Sequence, residues 1–190
     1  MELPLRQRKR IRTMAHIQAV AMRLFREKGY REVTIEQIAH QAEVAPATVY
    51  RYFETKTGFF TQDPVEQPGY DNAEFVQKLL EDPLTAIQSL FAHIINEEED
   101  ESIFIAGMQF VIDIPEVRAA VLLKNVQMAD DIAVHLVSDA GLSDIEAKSF
   151  ARSVLIRVFT AMEQWHLDGR KGAFGNYLGE ACEGLHAPTV

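Results

Sequence analysis

The side chains with most to offer an outside partner are gathered between Ala45 and Lys56. After three small residues, Ala45, Pro46 and Ala47, come the hydroxyl of Thr48, the phenols of Tyr50 and Tyr52, the guanidinium of Arg51 and the ammonium of Lys56. Such groups donate to phosphate oxygens and to base edges, and a guanidinium can fork onto a guanine. Small residues ahead of them let the backbone come close to a DNA groove. The other candidate sites are weaker. His166 and Asp168 stand two apart, so their side chains need not meet on one helix face, whereas Asp131 and His135 stand four apart and could pair. There is no His-x-x-x-His pair, no Gly-rich phosphate loop after a strand and no Gly-x-Ser-x-Gly elbow. The acidic run Glu97 to Glu101 reads as a solvated corner, since a metal would need ligands converging from elsewhere. The sequence therefore points to no catalytic residue, no metal and no cofactor.

The elements that must position the 45–56 groups follow from periodicity and caps. Ile35, Ile38, Ala39 and Ala42 recur on one helical face. Thr34 ahead of that face, with Gln37 three residues on, has the form of a capping box. Pro46 suits the first position of a second helix, whose Val49 and Phe53 would face inward with Val44. That leaves Ala47, Thr48, Tyr50, Arg51 and Tyr52 outside. A helix ahead of these two, burying Ile17, Ala21, Leu24 and Phe25, stops at Gly29. Thr55 can cap a short fourth helix, setting Lys56 near amides that attract a phosphate. The whole is a helix-turn-helix with its second helix turned outward.

Residues 10 to 60 also carry a resemblance. Ile17, Ala21, Leu24, Phe25, Gly29 and Tyr30, then Thr34, Ile38, Ala39 and Val44, then Thr48, Tyr50, Phe53 and Lys56 agree in order and spacing with the DNA-binding domain of the TetR family. In the turn, Glu43 stands where that family usually has Gly, so a left-handed backbone there would be strained. Ala45 stands where it often has Ser, which leaves the recognition helix without a side-chain cap. The resemblance implies an all-α regulator. Residues 1–62 would form the three-helix DNA-binding domain, and residues 63–190 a helical ligand-sensing and dimerisation domain. It implies DNA contacts by Thr34, Ala45, Pro46, Ala47, Thr48, Tyr50, Arg51, Tyr52 and Lys56.

Charge divides the chain in the same place. Through Gln62 there are eleven Lys and Arg against six Asp and Glu, a balance of +5; beyond it, eight against twenty-two give −14, and together these make the net −9. The basic charge is concentrated where phosphates would be met. Arg6, Arg8, Lys9, Arg10 and Arg12 could form a basic arm reaching phosphates or the minor groove. One cysteine, Cys182, excludes an internal disulfide and fits a reducing compartment, with cytoplasm the expected location. No apolar run approaches the length needed to span a bilayer, and no apolar stretch follows the basic N-terminus as in a signal peptide.

Beyond Gln62, Pro64, Pro68 and Gly69 interrupt the chain, and helical patterns follow with no strand alternation. Asp82-Pro83, Pro115 and Ser143-Asp-Ile-Glu146 each mark a helix start. The run from Ser102 to Ile114 is apolar nearly all round, as in a buried helix. Phe104, Met108, Met128, Phe159, Met162 and Trp165 could line a pocket for a small apolar effector, or simply form core. Val154, Val158 and Met162 with Phe174, Leu178 and Ala181 exceed the needs of one helix pair and are expected to join a second copy in a four-helix bundle. The expected protein is a homodimeric, ligand-responsive repressor of a near-palindromic DNA site. Its alternatives are a DNA-binding regulator without an effector, and a helical carrier or enzyme with an incidental basic N-terminus.

Overall fold

The computed structural model describes residues 4–62, 73–95 and 103–188, and every regular element among them is helical. The Pro- and Gly-rich stretch 63–72 and the acidic run 97–101 lie outside the described residues, as do the side chains of Leu90, Phe91, Ile94 and Phe104. Packing gathers the chain into two compact units. The first holds Met1–Glu66 with Ile103–Val121; the second holds Gln67–Ser102 with Leu122–Val190.

In the first unit, α1 runs from Leu5 to Lys28, α2 from Ile35 to Gln41 and α3 from Pro46 to Phe53. The basic residues 6–12, expected as an arm, ride on the opening turns of α1. Leu, Arg, Gln and Lys are all good helix formers, and no glycine or proline follows Pro4 to break the pattern. Gly29 ends α1 at φ +88°, with its N–H on the Phe25 carbonyl. Ile17, Ala21, Leu24 and Phe25 of α1, Ile38 and Ala39 of α2, and Val49 and Phe53 of α3 are all buried, with α2 packed on both α1 and α3.

A single 3₁₀ turn, Thr57–Phe60, follows α3. Gly58 is buried there, and a Cβ on it would run into the backbone carbonyl of Phe53. Glycine is thus required for the turn to fold back on α3. The reversal brings Phe59 onto Phe53, their rings stacked with centroids 4.3 Å apart. Phe60 stacks on Phe25 at 5.9 Å. Gln18, the one buried polar side chain of the described core, donates its amide to the Phe59 carbonyl at 2.8 Å and to that of Gln62 at 3.4 Å. An unpaired amide at that depth would cost about 1–3 kcal/mol, so Gln18 fastens the turn to α1.

The apolar run after residue 102 is α6, Ile103–Asp113, preceded by α4, Ala73–Glu81, and α5, Pro83–Ile95. It packs on α1 and the 3₁₀ turn, with Phe110 5.8 Å from Phe60 and 5.9 Å from Phe25. α7, Pro115–Ala140, begins in the first unit and continues into the second. There it is joined by α4, α5, α8 (Asp144–Leu167) and α9 (Phe174–Ala181). The Ser143 capping box forms as expected: its hydroxyl accepts from Glu146 N–H, and its own N–H donates to Glu146. The Asp82 carboxylate caps α5 by accepting from Thr85 N–H at 3.1 Å.

Candidate nucleic-acid interface

Two caps and one strained residue set the angle at which α3 is presented. Thr34 accepts from Gln37 N–H at 3.2 Å while its own N–H donates to Gln37 Oε1 at 3.0 Å, so both halves of the α2 capping box are closed. Glu43 turns the chain at φ +55°, the left-handed conformation a glycine would take without strain. Ala45 gives α3 no side-chain cap, leaving the first amides of α3 free of a side-chain acceptor. Pro46 occupies the first helical position, as its fixed φ favours.

Once Val49 and Phe53 are fully buried, the outward face of α3 is set by helical phase. Ala45, Pro46, Ala47, Tyr50 and Arg51 are exposed, with Thr48 and Tyr52 half-buried beside them. The Tyr50 hydroxyl reaches Glu36 Oε1 on α2 at 3.4 Å, and the Arg51 guanidinium lies over the Tyr52 ring at 4.8 Å. A stacked guanidinium has its fork held in one plane, the geometry that bidentate base recognition needs. Thr34 is exposed at the α2 N-terminus, its hydroxyl proton left for a phosphate.

Lys56 differs from its neighbours. Its Nζ donates to the carbonyls of Val33 at 2.9 Å and Arg31 at 3.3 Å, and it lies 4.3 Å above the Tyr30 ring. Burial lowers its pKa, against the opposing pull of Glu116 and Glu32. Tyr30 beneath it donates its hydroxyl to Glu116, and burial first, then that carboxylate, push its pKa up to about 12. Sequence reasoning missed this Tyr30–Lys56–Glu116 cluster and the Gln18 tether. Gln18 alone carried a signal, a polar residue next to Ile17 on the buried face of α1.

Residues 17–62 match the family described as bacterial regulatory proteins, tetR family. That segment is a TetR-type helix-turn-helix. Over most of its length it is similar to the HTH-type transcriptional regulator TcmR of Streptomyces glaucescens, at 28% identity over 86% of this chain and 77% of that one. Its fold is similar to that of NalD, the secondary repressor of the MexAB-OprM multidrug efflux pump in Pseudomonas aeruginosa (TM-score 0.55, 21% identity, 92% and 93% of the two chains). It is also similar to Thermus thermophilus FadR, a TetR family repressor solved with lauroyl-CoA (TM-score 0.52, 21% identity, 90% and 92%). The all-α TetR architecture, with the helix-turn-helix at the N-terminus, is that of a DNA-binding transcriptional regulator.

The remaining expected sites are placed as follows. Met108 lies in the first unit, and Met128, Phe159, Met162 and Trp165 lie in the second. Trp165 is engaged locally: its indole N–H donates to the Gly172 carbonyl at 3.1 Å and its ring packs 5.5 Å from Phe174. Val154, Val158, Met162, Phe174 and Leu178, expected at a dimer interface, are each buried within the single chain, where α8 packs on α9; Ala181 is half-buried. Arg157 secures that pair by donating to the carbonyls of Ala181 and Glu183 at 2.5 and 3.1 Å. His135 pairs with Asp139 at 3.2 Å rather than with Asp131, both partners at the surface. Among the described residues no cluster of His, Cys, Asp or Glu could hold a metal ion, and no helix is long and apolar enough to cross a membrane.

Proposed function

We propose that the protein is a ligand-responsive repressor that binds a near-palindromic operator as a homodimer in the cytoplasm. The observation that carries this reading is the outward face of α3, where Thr48, Tyr50, Arg51 and Tyr52 stand beside a cap-free helix N-terminus. That face enters the major groove, with Arg51 reading a base edge. Ala45, Pro46 and Ala47 let the helix end approach the backbone closely, while Thr34 and the third proton of Lys56 take phosphates. Residues 1–62 serve as the DNA-binding part and residues 63–190 sense an apolar effector and hold the dimer, with Met128, Phe159, Met162 and Trp165 of the second unit as pocket candidates. Effector binding favours a spacing of the two α3 helices that no longer fits one DNA turn. No enzymatic step belongs to this reading.

The test is a mobility-shift and salt titration on the DNA flanking the gene, followed by a release screen. Lauroyl-CoA, the compound solved with FadR, is one rational first probe among apolar metabolites. Specific, salt-sensitive binding relieved by a metabolite supports the proposal. Specific binding that no compound relieves favours a regulator without an effector, and no binding returns the chain to the carrier class.

A further inference from the structure

We infer that Tyr50 reads an exocyclic amino group, N6 of adenine or N4 of cytosine, and that Glu36 is the positioning residue that gives it this polarity. This rests on the proposed DNA-binding reading of α3 and deepens it by naming the base edge that one side chain selects. Tyr50 is 46% exposed on the outward face of α3, and its hydroxyl donates to Glu36 Oε1 on α2 at 3.4 Å. A carboxylate offers lone pairs and no proton, so the phenol supplies the hydrogen of this bond. What the phenol oxygen keeps for an outside partner is its own lone pairs.

That polarity decides between the partners a DNA duplex offers. Phosphate oxygens are acceptors, and bonding one would require Tyr50 to give up Glu36. The Glu36 charge beside the hydroxyl adds repulsion against the backbone. In the major groove, guanine O6 and N7 and thymine O4 are acceptors too, whereas adenine N6 and cytosine N4 carry hydrogens. Only the amino groups suit a phenol already committed as a donor. Arg51, next in the chain, has the opposite polarity, because a guanidinium donates and cannot accept. The two neighbours therefore ask for different edges.

Glu36 also has a local use, since an acid in the first turn of α2 complements the helix amides. That use needs no contact with α3, and Thr34 with Gln37 already closes the cap. The reach to Tyr50, fourteen residues on, does something further: it ties α2 to α3 and holds one rotation of the phenol C–O bond. In water the bond is long and weak. Once a groove closes over it and water leaves, the lower local dielectric strengthens it.

The test is selection by the full chain from a pool of random duplexes, followed by atomic substitution in the selected sequence. Each adenine is replaced in turn by purine and each cytosine by pyrimidin-2-one, bases that lack only the amino group. At one position of the recognised motif, wild type is expected to lose roughly three- to tenfold in affinity, the worth of one hydrogen bond. Tyr50→Phe keeps the ring and loses the hydroxyl, so it should be indifferent to that same substitution. Glu36→Ala frees the hydroxyl to donate, so thymine or guanine should bind there as well as the amino base does, and binding to unrelated duplex should grow. A tie that only steadied α3 would instead weaken all sequences alike when cut. Both side chains are exposed, circular dichroism checks the fold of each variant, and the substitutions read with wild type depend on neither. If every substitution weakens wild type and Tyr50→Phe equally, the inference is overturned while the DNA-binding reading stands. If no sequence is enriched from the pool, that reading falls and the inference with it.

Discussion

Lys56 looks from sequence like a simple phosphate contact, yet its ammonium is already shared between two backbone carbonyls and the face of Tyr30. Two of its three protons hold residues 31–33, the segment leading into α2, so removing it touches both fold and binding. Lys56→Ala is expected to lower stability by about 1–2 kcal/mol through the lost charged hydrogen bonds. It should also flatten the salt dependence of DNA binding by about one unit through the lost phosphate. Thermal denaturation and a salt titration of affinity separate the two effects. Arg51→Ala should leave stability alone and relax base preference by roughly 1–3 kcal/mol at one position; an unchanged preference would remove its reading role. Tyr30 supplies a pH test. Its folded pKa of about 12 lies above the ordinary value of 10, so above pH 10 the unfolded state holds fewer protons than the folded one. Stability should therefore fall as pH rises from about 10 towards 12, and Tyr30→Phe should flatten that fall in denaturant titrations.

At the level of elements, the turn between α2 and α3 carries an evident strain. Glu43 holds a left-handed backbone at a cost of about 1 kcal/mol that glycine would not incur. Glu43→Gly is therefore expected to raise the melting temperature by a few degrees with operator specificity unchanged, measured by calorimetry and by competition binding; a lower melting temperature would show that the strain is offset elsewhere. That strain was legible in the sequence because turn chemistry is local. So were both capping boxes and the start of α3 at Pro46, each set by side chains within three or four residues of one another. What could not be read depends on distant partners. The apolar run of α6 announced burial but not that Phe110 would meet Phe25 and Phe60, more than forty residues away. On α8, Val154 and Val158 are as apolar as Ile156, and only the packing of α9 decides which of them is covered. The candidate site was the more legible part, since the α3 face follows from the phase of Val49 and Phe53 alone.

For the whole molecule, α7 is the element that belongs to both units. Its first turn carries Glu116, which accepts the Tyr30 hydroxyl, and Val117, which is fully buried; its later turns lie in the second unit. Tyr30 in turn supports Lys56, which holds the carbonyls just ahead of the α2 cap. On the proposed ligand-responsive reading, a shift of the first turn of α7 would reach the frame that aims α3 through Glu116, Tyr30 and Lys56. An effector changes DNA affinity only by its differential affinity for the two arrangements, typically about 1–3 kcal/mol of coupling. Glu116→Gln keeps the size of the side chain and a hydrogen-bonding oxygen but removes the charge that Tyr30 and Lys56 both feel. It is expected to leave effector affinity for the free protein within about twofold while reducing the release of DNA by effector, because the energy difference between the arrangements shrinks. Titration calorimetry for the effector, run beside operator-binding curves with and without it, gives both quantities for wild type and variant. Tyr30→Phe should act in the same direction, and the double variant should add little to either alone, since all three side chains form one network. Full coupling in the double variant would place the route elsewhere.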